Sequence, residues 1–236
     1  MAVSFDFGGD VVLVTGVGGA LGSSVAEAFL EAGATVCGVD LVAADSKDFL
    51  LENPDRIDFY QADLTDESQV AEVVASVVDS HGGLDHLANV AGTWRGGDPI
   101  EDTDPGTFDF LVGVNLKTMF LATKYALPHL QAGRGTVVSV SSRSSLDGGE
   151  GDAIYRATKA GVRLLTESVA EENLGSVRAN TVMPSVIDTP MNREMMSSAD
   201  YEEWVDPDDI AAVVAFLCSD AAGPTSGAAV PVYGEA

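Results

Sequence analysis

The chain has 236 residues, enough to bury a large core in one α/β unit, and 46% of them are hydrophobic, which excludes global disorder. Its 37 acidic against 12 basic residues give a net charge of −25, the opposite of a nucleic-acid footprint and repelled by an anionic membrane surface. No apolar run approaches the ~20 residues of a membrane span, and residues 1–6 carry neither a basic region nor a cleavage signature, so the cytoplasm is the expected location.

Residues 11–14, all apolar, read as a buried strand. The glycine-rich 15–22 follows, then a helix through Val25, Phe29 and Ala32 that Gly33 closes. Residues 34–39 and 57–61 are the next strands. Over 67–78, Val70, Val73, Val74, Val77 and Val78 recur at helical spacing. Their β-branching lowers helix propensity, so packing must hold that helix. Strands four to six are expected at 84–90, 136–141 and 177–183, with long helices over 108–130 and 151–174. Asp206-Pro207-Asp208-Asp209 opens a further helix, with Asp at the cap, Pro in the first turn and acid beside it; 228–233 is a last strand. This alternation predicts a parallel sheet of about seven strands with helices on both faces, a Rossmann-type doubly wound fold in one domain over 1–236. The stretch 185–205 shows the least pattern and marks a functional loop at about 185–206.

Ligands bind such sheets at the carboxyl ends of the strands. The first strand ends in Thr15-Gly16-Val17-Gly18-Gly19-Ala20-Leu21-Gly22, where glycines let the backbone approach a pyrophosphate at a helix N-terminus. Asp40, followed by Leu41, ends the second strand 24 residues beyond Gly16. A carboxylate there accepts the ribose hydroxyls of NAD and repels a 2′-phosphate. No Lys or Arg lies in the glycine turn or directly after Asp40, so NAD is favoured over NADP. Asp63-Leu64 and Asn89-Val90-Ala91-Gly92 end the third and fourth strands on the same edge, where an adenine and its ribose would lie.

Tyr155 and Lys159 stand four apart on a helix and share a face. A free phenol, with a pKa of ~10, is a poor base near neutrality, and a neighbouring ammonium is expected to lower that value and make it an acid/base. Ser142, just after the fifth strand, could polarise a carbonyl beside it, and Asn115 in the preceding long helix could brace a water next to Lys159. A surface helix pair is the alternative for Tyr155 and Lys159 taken alone. No metal is expected: Cys37 and Cys218 form no disulfide framework or metal knuckle, and His81, His86 and His129 are not spaced as ligands.

Taken jointly and in this order, the motifs resemble the short-chain dehydrogenase/reductase family in its compact single-domain branch. Those motifs are Thr15 to Gly22, Asp63-Leu64, Asn89 to Gly92, Asn115, Ser142, Tyr155 with Lys159, and Pro184-Ser185-Val186-Ile187-Asp188-Thr189. The likeness runs over about 10–233 and is nearest in general character to 3-oxoacyl-carrier-protein reductases and to small-alcohol or sugar dehydrogenases. The resemblance implies reversible hydride transfer between NAD(P) and a carbonyl or secondary alcohol. It gives Tyr155 the proton transfer, Lys159 the nicotinamide ribose and the tuning of Tyr155, Ser142 the substrate oxygen and Asn115 a relay water. It puts Ile187 and Thr189 at the nicotinamide carboxamide and counts Pro184 among the cofactor-binding residues. It also implies a homotetramer built through the two long helices and the last strand.

Three positions depart from the family pattern. Ala20 and Ser185 replace glycines, so the Ser185 turn is expected to take different backbone angles, and Thr158 replaces the usual Ser. Two rival readings stay open: a non-catalytic NAD-binding scaffold or sensor, and an epimerase or dehydratase using NAD transiently. Trp94, Trp204, Met191, Met195, Met196 and Tyr201 suit a movable apolar lid or simply pack the loop down. One of Arg95, Arg143 and Arg193 is expected to hold a polar or anionic substrate group, unless all three only offset local acid. The short loop favours a small or linear substrate. Finally, 23 Asp against 14 Glu and 8 Arg against 4 Lys resemble proteins of salt-loaded cytoplasm, where a Debye length of roughly 3 Å cancels self-repulsion.

Overall fold

The computed structural model describes residues 5–235. Seven strands form one parallel sheet in the order β3-β2-β1-β4-β5-β6-β7. They are β1 (Val11–Thr15), β2 (Thr35–Asp40), β3 (Asp58–Gln61), β4 (His86–Asn89), β5 (Thr136–Val140), β6 (Arg178–Pro184) and β7 (Ala229–Val232). The central strands are apolar on both faces because helices cover both. Val12 and Val14 of β1 face α1 (Ala20–Glu31) and α7 (Pro207–Cys218), packing with Val25, Phe29, Ile210 and Val214. Leu13 faces the other layer, where α2 (Glu67–His81), α4 (Thr118–Gly133) and α5 (Ala153–Glu172) supply Val73, Val77, Leu121, Leu130 and Val169. The strand order reverses between β1 and β4, which opens a crevice above their carboxyl ends.

Local chemistry sets the element ends. Asp66 caps α2 by accepting the Ser68 and Gln69 amides, and Gly82, at φ +81°, closes it. Asp206 caps α7 through the Asp208 amide, with Pro207 in the first turn, as its sequence predicts.

Two elements differ from the sequence expectation. The helix expected over 108–130 begins earlier as α3 (Pro105–Leu111), passes through a π-helical segment, Val112–Lys117, and continues as α4. Periodicity alone cannot register the inserted residue; its position is tied to Asn115, described below. The stretch 185–205 is not a plain loop. It contains α6 (Pro190–Met195) and a 3-10 turn at Tyr201–Glu203, and a parallel bridge between Ile187 and Val205 staples its ends together. Side chains make it ordered: Thr189 caps α6, and Arg193 grips Asp188 with both Nε and Nη2, at 2.5 and 2.6 Å.

Candidate active site

At the end of β1 the chain turns through Gly16, whose φ of +70° favours glycine. A Cβ on Gly16 would lie 2.8 Å from Ala91 Cα, and one on Gly22 would run into the Gly16 carbonyl oxygen. Gly19 is different: a Cβ there would meet only the Gly16 oxygen, at 3.5 Å. Internal packing therefore does not require that glycine, whereas a ligand approaching the start of α1 would. Gly19 precedes α1, which begins at Ala20 with no side-chain cap on its first amides; Leu21 is buried and Ala20 half-buried. These features fit a pyrophosphate at a helix N-terminus.

Asp40 clamps the turn. Its Oδ2 accepts the Gly18 amide and its Oδ1 the Val42 amide, both at 2.9 Å. Leu41 beside it is 65% exposed, so it projects rather than packs. A second clamp was not legible in the sequence. The segment after β2 folds back, so that the Leu50 amide donates to the Gly18 carbonyl at 2.8 Å. The Phe49 ring fills the space where a Gly18 Cβ would stand, 2.6 Å from it, and meets Phe59 edge-on at 5.1 Å between centroids. Nothing in the pattern of 41–53 announces this contact. Thr15 was also missed as a residue with its own part: its hydroxyl accepts the Val90 and Ala91 amides at 3.0 and 3.1 Å, tying the end of β1 to the turn after β4.

The Asp63 and Asn89 side chains bear on the chain itself. Asp63 accepts the Thr65 amide and hydroxyl, and Leu64 is buried in the α2 layer. Asn89 is buried, with Nδ2 donating to Thr123 Oγ1 at 3.0 Å. What these strand ends leave along the crevice is backbone, at Ala91 and Gly92.

Beyond β4 and β5 the remaining site residues converge. Ser142 follows β5 and caps a short 3-10 turn through the Ser144 amide. Tyr155 lies in the first turn of α5, and the Ser142 hydroxyl is hydrogen-bonded with its phenol. Lys159, one turn on, is buried and donates from Nζ to the Val140 carbonyl at 3.0 Å, while Ser141 Oγ donates to the Lys159 carbonyl at 2.7 Å. Asn115 projects from the π segment. Its Oδ1 accepts the Thr93 amide at 2.8 Å, and its Nδ2 donates to the Thr93 carbonyl at 3.0 Å and to Thr158 Oγ1 at 3.2 Å. A Cβ on Gly92 would stand 2.9 Å from Asn115 Oδ1 and 3.0 Å from Lys159 Nζ, so both groups face the same short stretch of backbone. Thr158 earns its place as an acceptor for Asn115, a role open to the Ser it replaces.

The electrostatics correct one expectation. The Tyr155 phenol is raised above its ordinary value, not lowered. Burial is the main cause; the Ser142 hydrogen bond and the more distant Arg156 act against it, and Asp152 adds to it. Lys159 is itself pushed down to about 8 by burial, and its Nζ points at a backbone carbonyl. Burial is the largest cause of both shifts, and Lys159 is not among the causes that act on the phenol.

The turn after Pro184, at the end of β6, does not need a glycine. Arg134 is the only non-glycine with positive φ among the described residues, so Ser185 takes ordinary angles. Its hydroxyl donates to the Tyr233 carbonyl at 2.8 Å, anchoring the base of the loop. Beyond it Thr189 Oγ1 accepts the Asn192 amide, and the Ile187 carbonyl accepts from Asn192 Nδ2. Met191, Met195 and Met196 are exposed, and Trp204 packs on Tyr201 at 4.8 Å between centroids.

The family model described as enoyl-(acyl carrier protein) reductase matches residues 16–234. The chain is 32% identical over 240 residues to a 3-oxoacyl-[acyl-carrier-protein] reductase of Thermotoga maritima, covering 96% of this chain and 97% of that one. Among solved structures it is similar to ligand-free aldohexose dehydrogenase of Thermoplasma acidophilum, with a TM-score of 0.88, 26% identity and 98% and 96% of the two chains covered. It is equally similar to ElxO with NADP bound, at TM-score 0.88 and 28% identity, over 95% of this chain and 97% of the other. A glycine-cradled crevice at the β1/β4 reversal, matched along nearly the whole chain, sets aside the scaffold reading: the chain belongs to the short-chain dehydrogenase/reductase family and is an NAD(P)-dependent oxidoreductase that moves hydride between a nicotinamide and a carbonyl or secondary alcohol.

Proposed function

We propose that this enzyme prefers NAD(H), acts on a small or linear carbonyl compound and its secondary alcohol, and uses Tyr155 as general acid and base. The observation that carries the reading is the convergence of Tyr155, Ser142, Lys159 and Asn115 beyond β4 and β5, beside a glycine turn shaped for a pyrophosphate. The dinucleotide, when bound, supplies or takes the hydride. Gly16, Gly18, Gly19, Ala20, Leu21 and Gly22 would hold its pyrophosphate; Asp40 and Leu41, with Asp63 and Leu64, its adenosine half. The backbone at the strand end Asn89, Ala91 and Gly92 would lie along that adenosine half, and Ile187 and Thr189, after Pro184, at the nicotinamide carboxamide.

In reduction, Tyr155 Oη gives its proton to the substrate oxygen; in oxidation it takes one back. The raised phenol is poised as an acid at neutral pH. Ser142 Oγ orients the substrate oxygen beside it. Lys159 holds the nicotinamide ribose, and Asn115 braces the Thr93 segment after β4 and a relay water. Residues 185–206 form the substrate loop of a single domain.

Two observations support NAD over NADP. Asp40 places a carboxylate against Gly18, and Phe49 closes the space on that side with an apolar ring. A 2′-phosphate would meet both. The relatives' names, an acyl-carrier-protein reductase and an aldohexose dehydrogenase, fit a small polar carbonyl. Arg95, stacked 3.8 Å over the Phe110 ring, is best suited to hold an anionic group, since Arg193 is engaged by Asp188. Exposed Phe108, Phe120 and Leu164 on the long helices support a homotetramer, and the charge balance supports a salt-loaded cytoplasm.

The test is a screen of short 3-oxoacyl thioesters, diketones and aldoses against NADH and NADPH in about 2 M KCl. The reading expects turnover in one class with kcat/KM at least about tenfold higher for NADH. Equal use of NADPH overturns the cofactor preference, and no turnover with any carbonyl overturns the substrate class.

A further inference from the structure

Away from the crevice, three potential ligands come together from three separate elements. Cys37 on β2 and Asp58 on β3 are register partners in the parallel ladder, so their side chains leave the same face of the sheet as neighbours. His81 arrives from the last turn of α2, which packs over that face. Cys37 Sγ, a carboxylate oxygen of Asp58 and a ring nitrogen of His81 all lie within 4.8 Å of one another, the one such grouping among the described residues. His81 Nε2 is 2.9 Å from Asp58 Oδ2, yet it is shielded from solvent and makes no well-angled hydrogen bond. An ordinary His–Asp ion pair would align that nitrogen with the carboxylate.

From this geometry we propose a zinc-binding site formed by Cys37, Asp58 and His81, with a water as fourth ligand. Thiolate, imidazole and carboxylate form a donor set that suits Zn²⁺ and excludes the hard cations Mg²⁺ and Ca²⁺. Zinc bonds of about 2.0–2.3 Å put tetrahedral ligand atoms roughly 3.2–3.7 Å apart, so the site closes with shifts of about an ångström. Burial is graded across the three: Cys37 is 0% exposed, the His81 side chain 19% and that of Asp58 58%. The fourth position therefore faces solvent, where the metal enters. On binding, the Cys37 S–H bond breaks, the S–Zn bond forms and one proton leaves to solvent; no oxidant or reductant takes part. Without metal the thiol is inert, raised to about 12 by burial and then by Asp58. A metal there would clip the four-residue edge strand β3 and the end of α2 onto β2. The spacings, 21 residues from Cys37 to Asp58 and 23 on to His81, match no linear motif, which is why the sequence gives no sign of it.

The test titrates chelator-stripped protein with Co²⁺ and then Zn²⁺, with melting followed in parallel. The proposal expects one equivalent of Co²⁺, a near-ultraviolet thiolate-to-cobalt band, displacement by micromolar Zn²⁺ and a raised Tm. Cys37→Ser abolishes the band, and Cys218→Ala, removing the other thiol, leaves it intact. Should Cys37→Ser fail to fold, His81→Ala and Asp58→Asn, both at partly exposed positions, decide: each weakens Zn²⁺ by about tenfold or more and removes the rise in Tm. Absence of the band in wild type, or a band and affinity unchanged in His81→Ala, overturns the proposal.

Discussion

Tyr155 and Lys159 share a cleft floor that destabilises both of their charged forms. Burial raises the phenol and lowers the ammonium, the latter to about 8. For a raised phenol, carbonyl reduction should hold its rate through neutral pH, while alcohol oxidation rises toward alkaline pH as the base form appears. A pH–kcat/KM profile in both directions checks this; an oxidation rate flat from pH 6 to 10 would contradict it. Lys159 has a stability consequence of definite sign. Its native pKa lies below its ordinary 10.5, so below about pH 8 the fold carries a buried charge at full penalty. Between about 8 and 10.5 the unfolded chain binds more protons, and wild-type stability rises with pH. Lys159→Met should therefore be more stable than wild type at pH 7, on the order of 3 kcal/mol, with the gap closing by pH 10.5, while activity falls at least about a hundredfold. Urea unfolding across pH measures the gap. Asp40→Ala removes the acceptor for two backbone amides and, on the proposed cofactor preference, the charge that would face a 2′-phosphate. Its NADH affinity should drop about tenfold and the preference over NADPH shrink, read by titrating cofactor fluorescence.

At the scale of elements, the sheet was legible because its strands are short apolar runs ending in small residues and acids, as at Thr15-Gly16, Asp40 and Asn89 to Gly92. Capping residues were legible too: Asp206-Pro207 starts α7 where its chemistry says. Contacts between distant segments were not. The π segment depends on Asn115 reaching Thr93, 22 residues away, and Phe49 reaches Gly18 from a stretch with no regular element. The same limit explains the Tyr155 error: spacing shows that a lysine is near, but not that its ammonium turns to the Val140 carbonyl in a desolvated floor. Asn115→Ala should release the Thr93 segment as well as any water it braces. The expected result is a kcat loss of about tenfold or more, with faster amide exchange at Thr93 and Trp94 in hydrogen-exchange mass spectrometry. A kcat loss with unchanged exchange would mean that Asn115 does not hold this segment.

At the scale of the whole molecule, a net charge of −25 on 236 residues opposes compaction and assembly unless salt screens it. Tm should climb steeply from about 0.1 to 2 M KCl, and light scattering should show tetramers at the upper end; a Tm independent of salt would sink the salt-loaded origin, and monomers at about 2 M the assembly. The central claim is that a desolvated phenol beside a glycine-cradled dinucleotide moves the proton. Its most direct measurement compares wild type and Tyr155→Phe for carbonyl reduction in about 2 M KCl, with NADH binding followed separately. The account predicts unchanged NADH binding and a kcat lower by about 10²–10⁴ in the variant. Turnover within threefold of wild type would contradict it.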